Sequence, residues 1–120
     1  MKETLQSTFQ RGVMSLLILS LLKTEDMYGY QIVQAISQQS AGKIVTQEGS
    51  LYPVLYKLQE QGLISDRKVL VGKRMMRVYY HLEAAGQAHL QNLVEEYKSV
   101  TQGVFDIIQI QGETENYEKK

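Results

Sequence analysis

Two histidines and thirteen carboxylates are the side chains in these 120 residues from which acid–base or metal chemistry is most readily built. His81 and His89 stand eight apart, one expected at a strand end and the other on a helix, with Glu96 further along. A zinc site needs three or four ligands converging on one point, which this spacing does not provide. Glu95 and Glu96 are neighbours on a helix, so their carboxylates diverge and cannot act as an acid–base pair. The absence of cysteine removes thiol nucleophiles, thiolate metal sites, iron–sulfur clusters and disulfides. No glycine-rich phosphate loop is present. The reading is that the chain is not an enzyme and carries no metal or cofactor.

The chemistry of recognition is better represented. Net charge is zero, but its distribution is uneven. Residues 41–80 hold seven bases (Lys43, Lys57, Arg67, Lys68, Lys73, Arg74, Arg77) against Glu48, Glu60 and Asp66, whereas residues 81–120 hold three bases against seven acids. Salt screens exposed charges beyond about 10 Å, so a distant acidic segment does little to weaken a local basic one. Lys73, Arg74 and Arg77 surround Gly72, with Arg67 and Lys68 on the facing arm of an expected hairpin. Just upstream, Gln47, Ser50, Tyr52, Tyr56 and Lys57 occupy the polar side of an expected helix. Gln and Ser suit base edges, and Tyr and Lys suit phosphates and thymine methyls. Double-stranded DNA is the partner these groups fit. Two plainer readings stand beside it: a solvated mixed surface, and charges that blunt the edge of an exposed hairpin.

The elements that must position these groups follow from apolar spacing. A chain with 43% hydrophobic and 22% charged residues and one Pro suits one compact domain. At this length a dimer interface would add usefully to the core. Val13 to Leu22 is apolar on nearly all sides, so a helix there must be covered on every side. The run is about half of the roughly 20 residues a bilayer span requires. Lys23, Thr24, Glu25 and Asp26 follow it, where a signal peptide would have a small-residue cleavage site. No membrane partner is expected, and the expected location is cytoplasmic.

Lys23 to Met27 reads as a charged turn and Tyr28 to Gln39 as a second helix, with Ile32, Ala35 and Ile36 at helical spacing. The third helix carries Leu51, Leu55 and Leu58 as one stripe. Either Thr46 or Ser50 would serve as its N-cap. Pro53 favours the later start, and Gly62 supplies a left-handed stop. Ser65–Val71 and Arg74–Leu82 read as the two arms of a hairpin joined through Gly72-Lys73. Gly29 has two readings, close helix packing and a phosphate contact through the helix-start amides near Tyr28.

A final helix is expected from Glu83 to Gln109. Leu90, Tyr97 and Val104, with Leu93, Val100 and Ile107, form two series spaced by seven and offset by three. At 1.5 Å per residue the helix is roughly 40 Å long, more than a small core covers, so a subunit-pairing seam is expected. Gly103 marks either a close approach or a bend. The expected fold is mainly α with a small β-hairpin. A winged helix-turn-helix DNA-binding domain spans 1–82, a long C-terminal dimerisation helix 83–111 and a frayed tail 112–120. In that architecture the third helix enters the major groove and the hairpin touches the flanking backbone. The same scaffold also serves as a protein–protein interaction module without DNA binding, and that alternative stays open. An apolar small-molecule effector is expected between subunits, near Phe9, Met14, Tyr97 and Phe105.

These residues also carry a family resemblance, over about residues 10–95. Arg11-Gly12, Tyr28-Gly29-Tyr30, Gly49-Ser50-Leu51-Tyr52-Pro53-Val54-Leu55-Tyr56-Lys57-Leu58, Glu60-Gln61-Gly62-Leu63-Ile64, Arg77-Val78-Tyr79-Tyr80-His81-Leu82 and Gly86 resemble the PadR-type transcriptional regulators, a bacterial family of winged-helix repressors. The resemblance implies a homodimer on an inverted-repeat operator. The final helix would pair subunits, the apolar first helix would support them, and the single C-terminal helix resembles the family's short form. Three departures stand out. Glu83 occupies a position where Thr is usual, Val78 replaces a common Lys, and no Trp is present for an aromatic drug-binding centre.

Overall fold

The computed structural model describes the backbone of residues 5–118 and the side chains of residues 12–109. In chain order the elements are α1 (Leu5–Thr24), β1 (Met27–Tyr28), α2 (Gly29–Gln39), α3 (Glu48–Glu60), β2 (Ile64–Val71), β3 (Met75–Leu82) and α4 (Ala84–Glu118). The hairpin gains a third strand: the antiparallel sheet has the order β1-β3-β2, with Met27 opposite Tyr80 and Tyr28 opposite Tyr79. Part of the expected charged turn is therefore helix and part is strand. The chain divides into two compact units, 1–90 and 91–120, so the first turns of α4 belong with the winged-helix unit.

The first unit's core is built from the predicted stripes. Val13, Met14, Ile18, Leu19, Leu21 and Leu22 of α1 are buried, together with Ile32 and Ile36 of α2, Leu51, Leu55 and Leu58 of α3, and Tyr80 of β3. Leu16 and Leu17 of α1 are half-buried, so a single chain already covers most of the apolar side chains from Val13 to Leu22. Leu90, expected on the dimer seam, is buried within this first unit. It is a core residue of that unit, because α4 starts against Leu63, just ahead of β2. The Glu83 amide donates to the Leu63 carbonyl, and a β-carbon on Gly86 would collide with that same carbonyl.

Two helix ends show how local chemistry stops the chain. After α3, Gly62 takes φ +76° while its amide donates to Gln59 and that of Leu63 to Leu58, so the last carbonyls are satisfied. After α2 the same pattern recurs with the Ala41 amide on Gln38 and the Gly42 amide on Ser37, but here the first left-handed residue is Ala41, at φ 54°.

Three expectations about the elements are corrected. The N-cap of α3 is Gln47, neither Thr46 nor Ser50. Thr46 is drawn into the core, where its hydroxyl finds no partner. Pro53 consequently sits in the second turn, and the amide it lacks would have bonded the Gly49 carbonyl. Gly49 is exposed, so water can satisfy that carbonyl instead. The hairpin turn has three residues, Gly72-Lys73-Arg74, pairing Val71 with Met75 and Arg67 with Tyr79. The last helix runs to Glu118, past both the expected Gln109 end and the start of the expected tail. Gly103 has no atom within 4 Å of a built β-carbon, so nothing in the described chain approaches it closely.

Candidate nucleic-acid interface

On α3 the buried leucine stripe leaves the opposite side to solvent. Gln47, Ser50 and Lys57 are exposed, and Tyr56 is 60% exposed. Tyr52 is different. Its ring lies 6.1 Å from that of Tyr56 and is half-buried, with its hydroxyl against the α-carbon of Gly29. Burial raises the Tyr52 pKa above the ordinary phenol value, with Glu48 and Tyr56 adding to the effect. Close packing accounts for Gly29, because any side chain there would strike Tyr52. Behind these two rings, Tyr80 is buried and its phenol is pushed up to about 12, chiefly by desolvation.

The wing's cations fall into two groups. Lys73 and Arg74 are exposed in the turn. Arg77 is half-buried, with its guanidinium 4.2 Å from the centre of the Tyr28 ring. Such cation–π contacts contribute about 0.5–1 kcal/mol at exposed sites. Tyr28 is the N-cap of α2, and its amide donates to Oε1 of Gln31 at 3.1 Å. The predicted residues are thereby linked in one path: Arg77 lies on Tyr28, Tyr28 precedes Gly29, Gly29 packs on Tyr52, and Tyr52 neighbours Tyr56.

A second cluster was not anticipated. Asp26, between α1 and β1, accepts from Arg67 Nη2 at 3.2 Å and from His81 Nδ1 at 2.7 Å. A carboxylate can only accept, which makes Nδ1 the protonated ring nitrogen. The hydrogen bond from His81 lowers the Asp26 pKa, partly opposed by burial and reinforced by Arg67. Arg67 also lies 5.2 Å from the centre of the Tyr79 ring. The register Arg67↔Tyr79 is the signal that would have found this contact, and it depends on the turn having three residues. Glu83 is likewise occupied, accepting from the Ser65 hydroxyl.

In the second unit, Tyr97, Val100, Val104 and Ile107 of the expected seam are exposed, as are Phe105 and Ile108; Leu93 is half-buried. Of the residues expected near an effector, Met14 is buried in the first unit, while Tyr97 and Phe105 lie on the second. Phe9 lies outside the residues whose side chains are described. The first unit holds an apolar groove of about 180 Å³ between α1 and α2, lined by residues including Leu17, Leu21, Ile36 and Ile44. Met14, Tyr97 and Phe105 do not line it. Among the described residues, no helix is long and apolar enough to cross a membrane, and no three acidic or histidine side chains are grouped to hold a metal.

Residues 18–92 match the Transcriptional regulator PadR-like family, covering α3, the wing and the start of α4. The chain belongs to the PadR-like family of transcriptional regulators. An uncharacterized protein of Lysinibacillus sphaericus is 33% identical over 95 residues, covering 79% of this chain and 87% of that protein. A transcriptional regulator from Clostridium thermocellum has a similar structure, with a TM-score of 0.75, 28% identity, and coverage of 84% of this chain and 95% of that one. Bacillus subtilis PadR, solved in complex with operator DNA, superposes with a TM-score of 0.64 at 26% identity, over 68% of this chain and 47% of that one. As a sequence the same protein, a negative transcriptional regulator, is 24% identical over 94 residues, 78% of this chain and 52% of that protein. This chain thus spans about half the length of Bacillus subtilis PadR. PadR-like proteins are regulators and not enzymes, and the mostly helical fold with a small antiparallel sheet is theirs.

Proposed function

We propose that this PadR-like regulator is a cytoplasmic repressor that binds an inverted-repeat operator in duplex DNA as a homodimer. Each protomer presents Gln47, Ser50, Tyr56 and Lys57 of α3 to the major groove, and Lys73, Arg74 and Arg77 of the wing to the flanking phosphates. The observation that carries this reading is the contact path from Arg77 through Tyr28, Gly29 and Tyr52 to Tyr56, which ties the basic wing to the polar side of α3. Tyr52 acts within it as a spacer between α2 and α3. The exposed apolar side chains Val100, Val104 and Ile107 support pairing through α4. Tyr97 and Phe105 are the exposed aromatic groups that a small apolar effector would meet, whereas Met14, being buried, drops out of that site.

A mobility-shift titration on the promoter next to its own gene tests the reading. Binding should weaken steeply with salt. Replacing Lys73 and Arg74 with Ala should flatten the slope of log affinity against log salt by about one unit per lost phosphate contact. Absence of salt-sensitive binding would instead favour a protein-binding module. Sedimentation equilibrium should return a dimer, and a monomer at all concentrations would remove the inverted-repeat geometry.

A further inference from the structure

The outer face of the sheet carries an unbroken column of contacts. Asp26 holds the guanidinium of Arg67, Arg67 lies over Tyr79 at 5.2 Å, Tyr79 meets Tyr28 edge-on at 5.4 Å with the rings at 73°, and Tyr28 carries Arg77 at 4.2 Å. The column crosses all three strands, since Arg67 is on β2, Tyr79 and Arg77 are on β3 and Tyr28 is on β1. Only its last pair belongs to the proposed DNA interface. Arg67 has its charge offset by Asp26, and Tyr79 is half-buried.

An arginine that must reach a phosphate from many rotamers gives up side-chain entropy on binding, and one already laid on a ring has less to lose. A ring holds such a cation only if its own plane is fixed. Tyr28 sits at the free edge of the sheet on a strand of two residues, so backbone pairing alone restrains it little. The edge-on contact from Tyr79 supplies the missing restraint, and Arg67 clamps the other side of the column. We propose that Tyr79 and Arg67 are positioning residues for DNA binding: they fix the Tyr28 ring and so preset the Arg77 guanidinium for a backbone phosphate. The wing then carries two kinds of cation, exposed ones at the tip and a preorganised one at its base.

The inference rests on the DNA-binding reading, and a double-mutant cycle separates the two. Phosphate contacts do not depend on sequence, so a labelled mixed-sequence duplex at low salt serves as the probe. Tyr79→Leu should weaken binding by about two- to fivefold and flatten the salt slope, while Tyr79→Phe, which keeps the ring, should bind like the wild type. Arg67→Met should weaken binding to a similar degree. In an Arg77→Ala background neither Tyr79→Leu nor Arg67→Met should cause further loss. Equal losses in both backgrounds would overturn the proposal, as would a Tyr79→Phe variant as weak as Tyr79→Leu. If Arg77→Ala binds like the wild type, the proposal fails while binding through α3 and the wing tip survives. If the wild type shows no salt-dependent binding, both readings fail. Thermal unfolding of each variant keeps loss of fold apart from loss of positioning, and Arg67→Met in the two backgrounds carries the test should Tyr79→Leu not fold.

Discussion

The α-carbon of Gly29 lies so close to the phenol of Tyr52 that a β-carbon there would stand 2.5 Å from the hydroxyl oxygen and 2.9 Å from Cζ. The first turn of α2 and the outward side of α3 are in this way held at one fixed separation. Gly29→Ala should cost about 1–3 kcal/mol of stability, the usual range for an overpacked contact. It should also weaken DNA binding by displacing α3. Tyr52→Phe in the same chain removes the shorter of the two collisions and should recover part of the stability. Thermal unfolding and a duplex titration on the two variants beside the wild type check this.

Asp26 gives the sheet face a pH dependence whose sign is set. Its pKa lies below the ordinary value of 3.8 in the folded chain, mainly because His81 donates to it. The unfolded chain therefore takes up this proton at a higher pH than the folded chain does. The stabilisation is fully present above that ordinary value and is lost as pH falls through the depressed one. Asp26→Asn should be less stable than the wild type near neutrality, with the gap narrowing in strong acid. Urea unfolding across an acid series measures it, and a gap that stays constant with pH would contradict the assignment.

Ala41 occupies a left-handed position that glycine takes at the end of α3. For a residue with a β-carbon that conformation costs roughly 1–2 kcal/mol. Ala41→Gly should raise stability, by about 1 kcal/mol or somewhat less once the added freedom of the unfolded chain is counted. Ala41 takes no part in the contacts linking α3 to the wing, so affinity for duplex DNA should not change. A denaturant midpoint read beside a DNA titration separates the two effects.

Gly86 sits over the carbonyl of Leu63, which already accepts the Glu83 amide. A methyl group there meets backbone, which cannot rotate away as a flexible side chain could. Gly86→Ala should be the most damaging of these substitutions, at about 3 kcal/mol or more. Gly103→Ala, in open space on the same helix, should instead stabilise by up to about 1 kcal/mol. Chemical denaturation of the pair tests whether α4 is anchored at its start.

Much of this architecture is legible in the chain. The leucine triplet of α3 and the stop at Gly62 follow from periodicity and backbone sterics, and both are found as read. What escapes a linear reading depends on partners distant in sequence. Met27 and Tyr28 show no period, and they are a strand only because Tyr79 and Tyr80 offer a free edge. Thr46 looks like a helix cap until the core claims its side chain. One extra residue in the wing turn moves Arg67 opposite Tyr79, and with that shift the whole column from Asp26 to Arg77 becomes possible. Among the DNA-facing candidates, the exposed side of α3 was readable, whereas the packing of Tyr52 on Gly29 needed the third dimension.

The run of Val100, Val104, Phe105, Ile107 and Ile108 places a stretch of oily surface in direct contact with water on a lone chain. Hiding it releases free energy of about 25 cal/mol for each Å² withdrawn, and in the proposed dimer a second copy of the chain hides it. By mass action, the melting point should then climb as the solution is made more concentrated and sag on dilution. Cellular abundance would in that case set how much intact regulator exists, as well as how many copies there are.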